Sequence, residues 1–181
     1  MGILAEPAQM VRDLNLSKGF SVCELGDQYL TYVAPHVLSE HWYKEFGCGH
    51  YVSVDGNGRG TITADLNRPV LGLGQFDLVT DFGTGEHIFH QAQVWKTVHD
   101  LTKRNGYIAF DRPAQGYQEH CFYNSHECLF RDLAAANEYE IVRLERGRTP
   151  RGELIRGVFR KIVDAKFRMP QQGRYKKALK L

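Results

Sequence analysis

The sequence predicts an α/β fold in which a mostly parallel sheet carries helices on both faces and ends in an antiparallel β-hairpin. Three observations carry that expectation. Short apolar runs alternate with segments of helical periodicity through most of the chain. The last two apolar runs, residues 139–144 and 154–162, are separated only by the polar stretch ERGRTPRGE. The length of 181 residues, 43% of them hydrophobic, suits one domain with a sizeable core. Alternating strands and helices close as a parallel sheet with right-handed crossovers, and a terminal hairpin adds its strands antiparallel at one edge.

In order along the chain, residues 7–17 place Met10, Val11, Leu14 and Leu16 at roughly helical spacing and stop near Ser17-Lys18-Gly19. Residues 20–25 (FSVCEL) read as a buried strand closed by Gly26. A helix over 36–46 is stopped by Gly47. The second strand, 51–54, ends in Asp55-Gly56-Asn57-Gly58, a dense turn signal. The third, 61–64, runs into Asp65, and the fourth, 76–80, into Asp81-Phe82-Gly83-Thr84-Gly85. A helix over 88–103 follows, and Asn105-Gly106 turns the chain into a fifth strand, 107–110. A last helix, 127–137, precedes the hairpin. Residues 1–164 read as one domain, with 1–19 as its N-terminal helix and 165–181 as a basic surface tail.

Twenty-three Lys and Arg against twenty-one Asp and Glu leave a formal charge of +2, too near neutral for a whole-surface nucleic-acid binder. No apolar run reaches the roughly 20 residues of a membrane span, and no basic-then-apolar leader opens the chain. The four cysteines form no CxxC pair, which argues against a zinc ribbon or a thioredoxin-type site and for free thiols. A cytoplasmic location is the expectation. No Gly-x-Ser-x-Gly elbow is present, and no Gly-Lys-Ser/Thr follows Gly83 and Gly85 as a phosphate-binding loop would require.

An open parallel sheet binds ligands beyond the carboxyl ends of its strands, where strand order reverses. That rule selects Glu24, Gly26 and Gln28 after the first strand, Asp55 after the second and Asp65 after the third. It also selects Asp81 to His87 after the fourth, and Asp111, Arg112 and His120 after the fifth. Gly26 permits close approach of a ligand to backbone. Asp55 can accept from both hydroxyls of a ribose, and Asp65 from the exocyclic amine of an adenine. Each aspartate alone is more simply a cap or a turn; their recurrence at successive strand ends is what points to one crevice.

Over roughly residues 20–162 the sequence resembles the class I S-adenosylmethionine-dependent methyltransferases. The resemblance lies in Glu24-Leu25-Gly26, Asp55, Asp65-Leu66, Phe76-Asp77-Leu78-Val79, Glu86-His87-Ile88, Asn105-Gly106-Tyr107-Ile108 and the terminal hairpin. It implies a Rossmann-like, seven-stranded sheet, S-adenosylmethionine as cofactor, and Glu24, Gly26, Gln28, Asp55, Asp65, Leu66 and Asp81 as its binding residues. One departure is visible: Gly26-Asp27-Gln28-Tyr29-Leu30 holds one glycine where the family's loop has about three. Gln28 could donate to the cofactor's carboxylate instead.

Methyl transfer from a sulfonium is an in-line displacement that needs alignment, and a base when the acceptor is a hydroxyl or protonated amine. His87 and His120 are the candidate bases, with His90 and the more remote His126 as further imidazoles, and Asp81 and Arg112 are candidates to orient the acceptor. Glu86, His87, His90 and His120 resemble the set with which some RNA 2′-O-methyltransferases hold a divalent metal, but no tight motif such as H-E-x-x-H occurs, and no metal is predicted. The expected acceptor is a small molecule, in a pocket walled by the N-terminal helix, residues 27–35 and residues 111–126. Two alternatives remain. One is RNA methylation through Lys166, Arg168, Arg174, Lys176, Lys177 and Lys180. The other is a non-catalytic, methyltransferase-like module.

Overall fold

The structure, a computed structural model, describes residues 2–174. In chain order its elements are β1 (Gly2–Ile3), α1 (Ala5–Asp13), β2 (Ser21–Leu25), β3 (Tyr29–Leu30), β4 (Val37–Leu38), α2 (Ser39–Glu45), β5 (His50–Asp55) and β6 (Ile62–Thr63). Then follow β7 (Phe76–Phe82), a 3₁₀ turn (Gly85–His87), α3 (Gln91–Leu101), β8 (Thr102–Gly116), α4 (Glu127–Asn137), β9 (Tyr139–Thr149) and β10 (Gly152–Lys161). The main sheet has seven strands in the order β6-β5-β2-β7-β8-β10-β9. The first five run parallel, and β10 lies antiparallel between β8 and β9. Strand order reverses between β2 and β7, so the crevice for a ligand lies above those two strands.

Side chains alternate across the sheet with the two-residue period of a strand. Val22, Leu78, Ala109 and Val158 meet Met10 and Val11 of α1 and Trp42 and Tyr43 of α2 on one face. Cys23, Val79, Ile108 and Phe159 meet Val94, Trp95 and Val98 of α3 and Phe130 and Leu133 of α4 on the other. Burial on both faces is why the central strands read as unbroken apolar runs. Phe110 and Phe130 stack with ring centres 4.4 Å apart in the middle of the second layer.

Several features depart from the expectation: α1 ends at Asp13, Val37–Leu38 are strand where a helix was expected, and β9 and β10 run through most of the stretch expected as their connection. β8 spans fifteen residues where residues 107–110 were expected. Asn105, at φ 64°, bends the strand and does not end it, and the pairing with β7 shifts register there. Asp111 and Arg112 therefore lie within β8, and Asp81 within β7, where loops were expected. The expected helix 88–103 begins at Gln91, because Ile88 is extended (φ −92°, ψ 127°) between the 3₁₀ turn and α3. A second sheet of three two-residue strands, β1-β3-β4, ties the N-terminus to the loop after β2.

The connections from β5 to β6 and from β6 to β7 contain no helix. Residues 165–173 lie along α3 and α4. His99 Nε2 is 2.7 Å from the Ala165 carbonyl, and Phe167 packs against the core. Asn137 exchanges hydrogen bonds with the Arg168 backbone, and Gly173 N donates to Asp132. Of the basic residues expected to contact nucleic acid, Arg168 pairs with Glu138 at 3.0 Å, and Lys176, Lys177 and Lys180 lie outside the described residues.

Candidate active site

The first turn of the crevice is built around Gly26. Its φ of +86° favours glycine, and a Cβ there would overlap Thr84 Oγ1 and the Gln28 amide. Thr84 Oγ1 donates to the Leu25 carbonyl at 2.8 Å and accepts from Gln28 Nε2 at 2.9 Å. Because the threonine proton is already given to Leu25, the amide must present nitrogen to Thr84, which fixes its orientation. One of the two amide N–H groups is committed to Thr84, and the oxygen, Oε1, is the polar atom of Gln28 left buried without a partner.

Asp55 closes the same turn from β5. Its Oδ2 accepts from the Asp27 backbone N–H and its Oδ1 from that of Asn57, both at 2.9 Å. One depression, of about 500 Å³, is lined by Asp55, Asp65, Leu66, Thr84 and Ile88. An adjoining one, of about 460 Å³, shares Asp55, Thr84 and Ile88 and adds Gln28, Tyr29 and His87. Leu66 is buried in the core layer at the rim. Asp65 is exposed; hydrogen bonds from Asn67, with Arg68 nearby, hold its carboxyl below the usual range.

Two residues expected in contact with cofactor lie beneath this edge. Glu24 is fully buried, and its Oε2 accepts from Ser39 Oγ at 2.5 Å and Tyr51 OH at 2.7 Å. Burial pushes its carboxyl up to about 7 against those two hydrogen bonds. Asp81 is fully buried, and its Oδ2 accepts from both Nε and Nη2 of Arg112, while its Oδ1 accepts from Gly85 N at 2.8 Å. Arg112 also donates to Gln91 Oε1 at 3.0 Å and stacks over Trp95. A Cβ on Gly85 would overlap this guanidinium. The two side chains are paired with each other and buried beneath the 3₁₀ turn, and neither is among the residues lining the cavities described here.

A second cavity, of about 450 Å³, opens on the other side of that turn. Its walls are the N-terminal residues Gly2, Leu4 and Pro7, the β3 segment at Tyr29 and Thr31, and β8 with its following loop at Asp111, Tyr117 and His120. The hairpin supplies Thr149, Pro150 and Arg151, and the 3₁₀ turn supplies Glu86. Asp111 is pushed up to about 7 by burial, opposed by Arg156, whose Nε is 3.4 Å away. Tyr29 lines both this cavity and the depression beside Asp55, so the two meet there.

Glu86, His87 and His120 gather at that junction, each offering a ligating atom within 4.8 Å of the others. The His87 and His120 rings are 4.9 Å apart, edge to face. Burial and then His120 hold the His87 imidazole below its usual range. Burial pushes Glu86 up to about 7, against Arg112, whose Nε lies 4.0 Å away. His90 faces away, bonded to the Asn67 loop, and His126 lies at the start of α4, apart from this cluster. Tyr29 and Tyr117 fall in the segments 27–35 and 111–126 expected as walls, whereas sequence reasoning missed the hairpin residues Thr149, Pro150 and Arg151 and the part of Thr84 beneath Gln28. Only the rule about strand ends pointed to that region, since the Gln28–Thr84 contact spans 56 positions.

No protein-family model matches the chain, and no curated protein matches it. Solved structures do. A Burkholderia thailandensis 1,6-didemethyltoxoflavin-N1-methyltransferase, with 1,6-didemethyltoxoflavin and S-adenosylhomocysteine bound, aligns with TM-score 0.64 and 16% identity over 86% of this chain and 76% of its own. The N-methyltransferase NodS from Bradyrhizobium japonicum, in complex with S-adenosylhomocysteine, gives 0.63 and 12% over 86% and 85%. TehB from Haemophilus influenzae gives 0.64 and 11% over 85% and 62%. The chain has the fold of the class I S-adenosylmethionine-dependent methyltransferases, Rossmann-like with a terminal antiparallel hairpin. Among the described residues, no helix is long and apolar enough to cross a membrane.

Proposed function

We propose that this protein binds S-adenosylmethionine over β2, β5 and β6 and transfers its methyl group to a small molecule held in the cavity between the N-terminus and the hairpin. The observation that carries the reading is the fold shared with proteins crystallised with S-adenosylhomocysteine. The residues present fit that cofactor. Asp55 is suited to the ribose hydroxyls, Leu66 and Ile88 to the faces of the adenine, and Asp65 to its amine. The orphaned Gln28 Oε1 is an acceptor for the α-ammonium. When bound, the cofactor supplies an electrophilic methyl group.

The chain's own residues do the rest. Tyr29 lines both compartments and so stands at their junction. Loss of the acceptor's proton is assigned to the Glu86–His87–His120 group, which sits where the compartments meet. The Asp81–Arg112 pair holds the turn carrying Glu86 and His87, since Asp81 bonds Gly85 N and Gln91 Nε2 donates to the Gly85 carbonyl.

A second reading, a non-catalytic module, is favoured by one observation: the turn at Gly26 holds one glycine, and Gln28 and Thr84 pack directly against it. Thermal unfolding with S-adenosylhomocysteine, adenosine and NAD separates the two readings. A rise in Tm with S-adenosylhomocysteine larger than with either control supports the enzyme; no rise with any of them supports the module.

A further inference from the structure

We propose that Glu86, His87 and His120 form a binding site for a divalent transition-metal ion, with its open coordination positions facing the cavity between the N-terminus and the hairpin. Two imidazoles and one carboxylate make a donor set suited to Zn²⁺, Mn²⁺, Fe²⁺ or Co²⁺ more than to Ca²⁺ or Mg²⁺. Three protein ligands with a remaining position open to a cavity is the pattern of a working metal site more than of a structural one.

Two of the donors are already desolvated and without a hydrogen-bond partner. Glu86 is buried, yet its Oε2 has no hydrogen-bond partner, and His87 Nε2 is likewise buried and unpartnered. A buried polar atom without a partner is costly, and an ion would satisfy both together. The scaffold around them is fixed. His87 N donates to Thr84 O, Ile88 N to Gly85 O, and Phe122 N to Glu86 O at 3.2 Å. That last bond ties the loop carrying His120 to the turn carrying the other two donors.

The ligating atoms lie within 4.8 Å of one another. Bonds of about 2.1 Å in a tetrahedral site place ligand atoms about 3.4 Å apart, so closure asks for side-chain rotation and no movement of an element. Arg112 Nε lies 4.0 Å from Glu86 Oε2, but its hydrogen bonds go to Asp81 and Gln91, so the Glu86 carboxylate keeps a lone pair for an ion.

Binding of the ion stands on these contacts alone. Its catalytic meaning, holding the acceptor's heteroatom and making its proton labile, rests on the methyl-transfer reading. In that role the imidazoles are ligands and not free bases.

The test is calorimetric titration of Zn²⁺ into protein freed of metal by a chelator, with Co²⁺ absorption to report the donor set. Expected is one equivalent bound, with affinity falling about tenfold or more in His87→Ala, in His120→Ala and in Glu86→Gln, and unchanged in His90→Ala. Far-UV circular dichroism and thermal unfolding of each metal-free variant exclude loss of fold as the cause. No saturable binding, or binding that the three substitutions leave intact, overturns the site. Titration with S-adenosylhomocysteine on the same samples keeps this result apart from the cofactor reading, because either ligand can bind when the other does not.

Discussion

Gln28 and Thr84 meet directly above Gly26, with the amide nitrogen 2.9 Å from Oγ1 and Thr84 in turn bonded to the Leu25 carbonyl. The end of β2 and the end of β7 are thus latched to each other at the point where strand order reverses. The latch needs glycine at position 26, because a Cβ would overlap both partners and φ is +86°. Gly26→Ala is expected to cost about 1 to 3 kcal/mol of stability, read as a lower urea midpoint with an unchanged slope. A stability equal to that of the parent chain would show that the latch opens freely.

Arg112 and Asp81 form the most deeply buried ion pair among the described residues, both side chains being almost inaccessible. Arg112→Met leaves Asp81 charged and buried with only Gly85 N as partner, a loss of about 3 to 5 kcal/mol. Combining it with Asp81→Leu removes the stranded charge and should return at least half of that loss. If the double variant is as unstable as the single one, packing and not charge is what the pair contributes.

Glu24 sets a pH dependence. Its carboxyl ordinarily titrates at 4.5 and is raised to about 7 here by burial. The folded state therefore binds the proton more tightly than the unfolded chain. The stability this contributes is complete below pH 4.5 and is lost as pH rises through 7. Glu24→Gln stays neutral throughout. Its stability relative to the parent should rise between pH 4.5 and pH 8, by on the order of 3 kcal/mol. A difference that does not change with pH would mean that Glu24 is ionised throughout this range.

The order of strands and helices was legible because each central strand is buried on both faces and reads as an apolar run between turn signals. Cys23, Val79 and Ile108 show it on one face, and Val22, Leu78 and Ala109 on the other. Asp81, Asp111 and Arg112 were read as loop residues because polarity normally marks a strand's end. They lie inside strands because each finds a charged partner across the sheet, and such pairing at separations of 31 and 45 positions leaves no local trace. The strands β1, β3 and β4 were invisible for a different reason: two residues carry no periodicity. Asp55, Asp65 and Leu66 do line depressions at the carboxyl edge, as their strand-end positions suggested. Glu24 has the same kind of position in sequence but points into the layer below, where Ser39 and Tyr51 hold it.

The central claim is that the carboxyl edge of this sheet holds S-adenosylmethionine through Asp55. Calorimetric titration with S-adenosylhomocysteine tests it most directly, run on the parent chain and on Asp55→Ala, with thermal unfolding to show that the variant is folded. The predicted result is saturable micromolar binding by the parent chain and its loss in the folded variant. No heat and no rise in Tm at millimolar ligand would contradict the claim, and the same fold would then have to be explained without its cofactor.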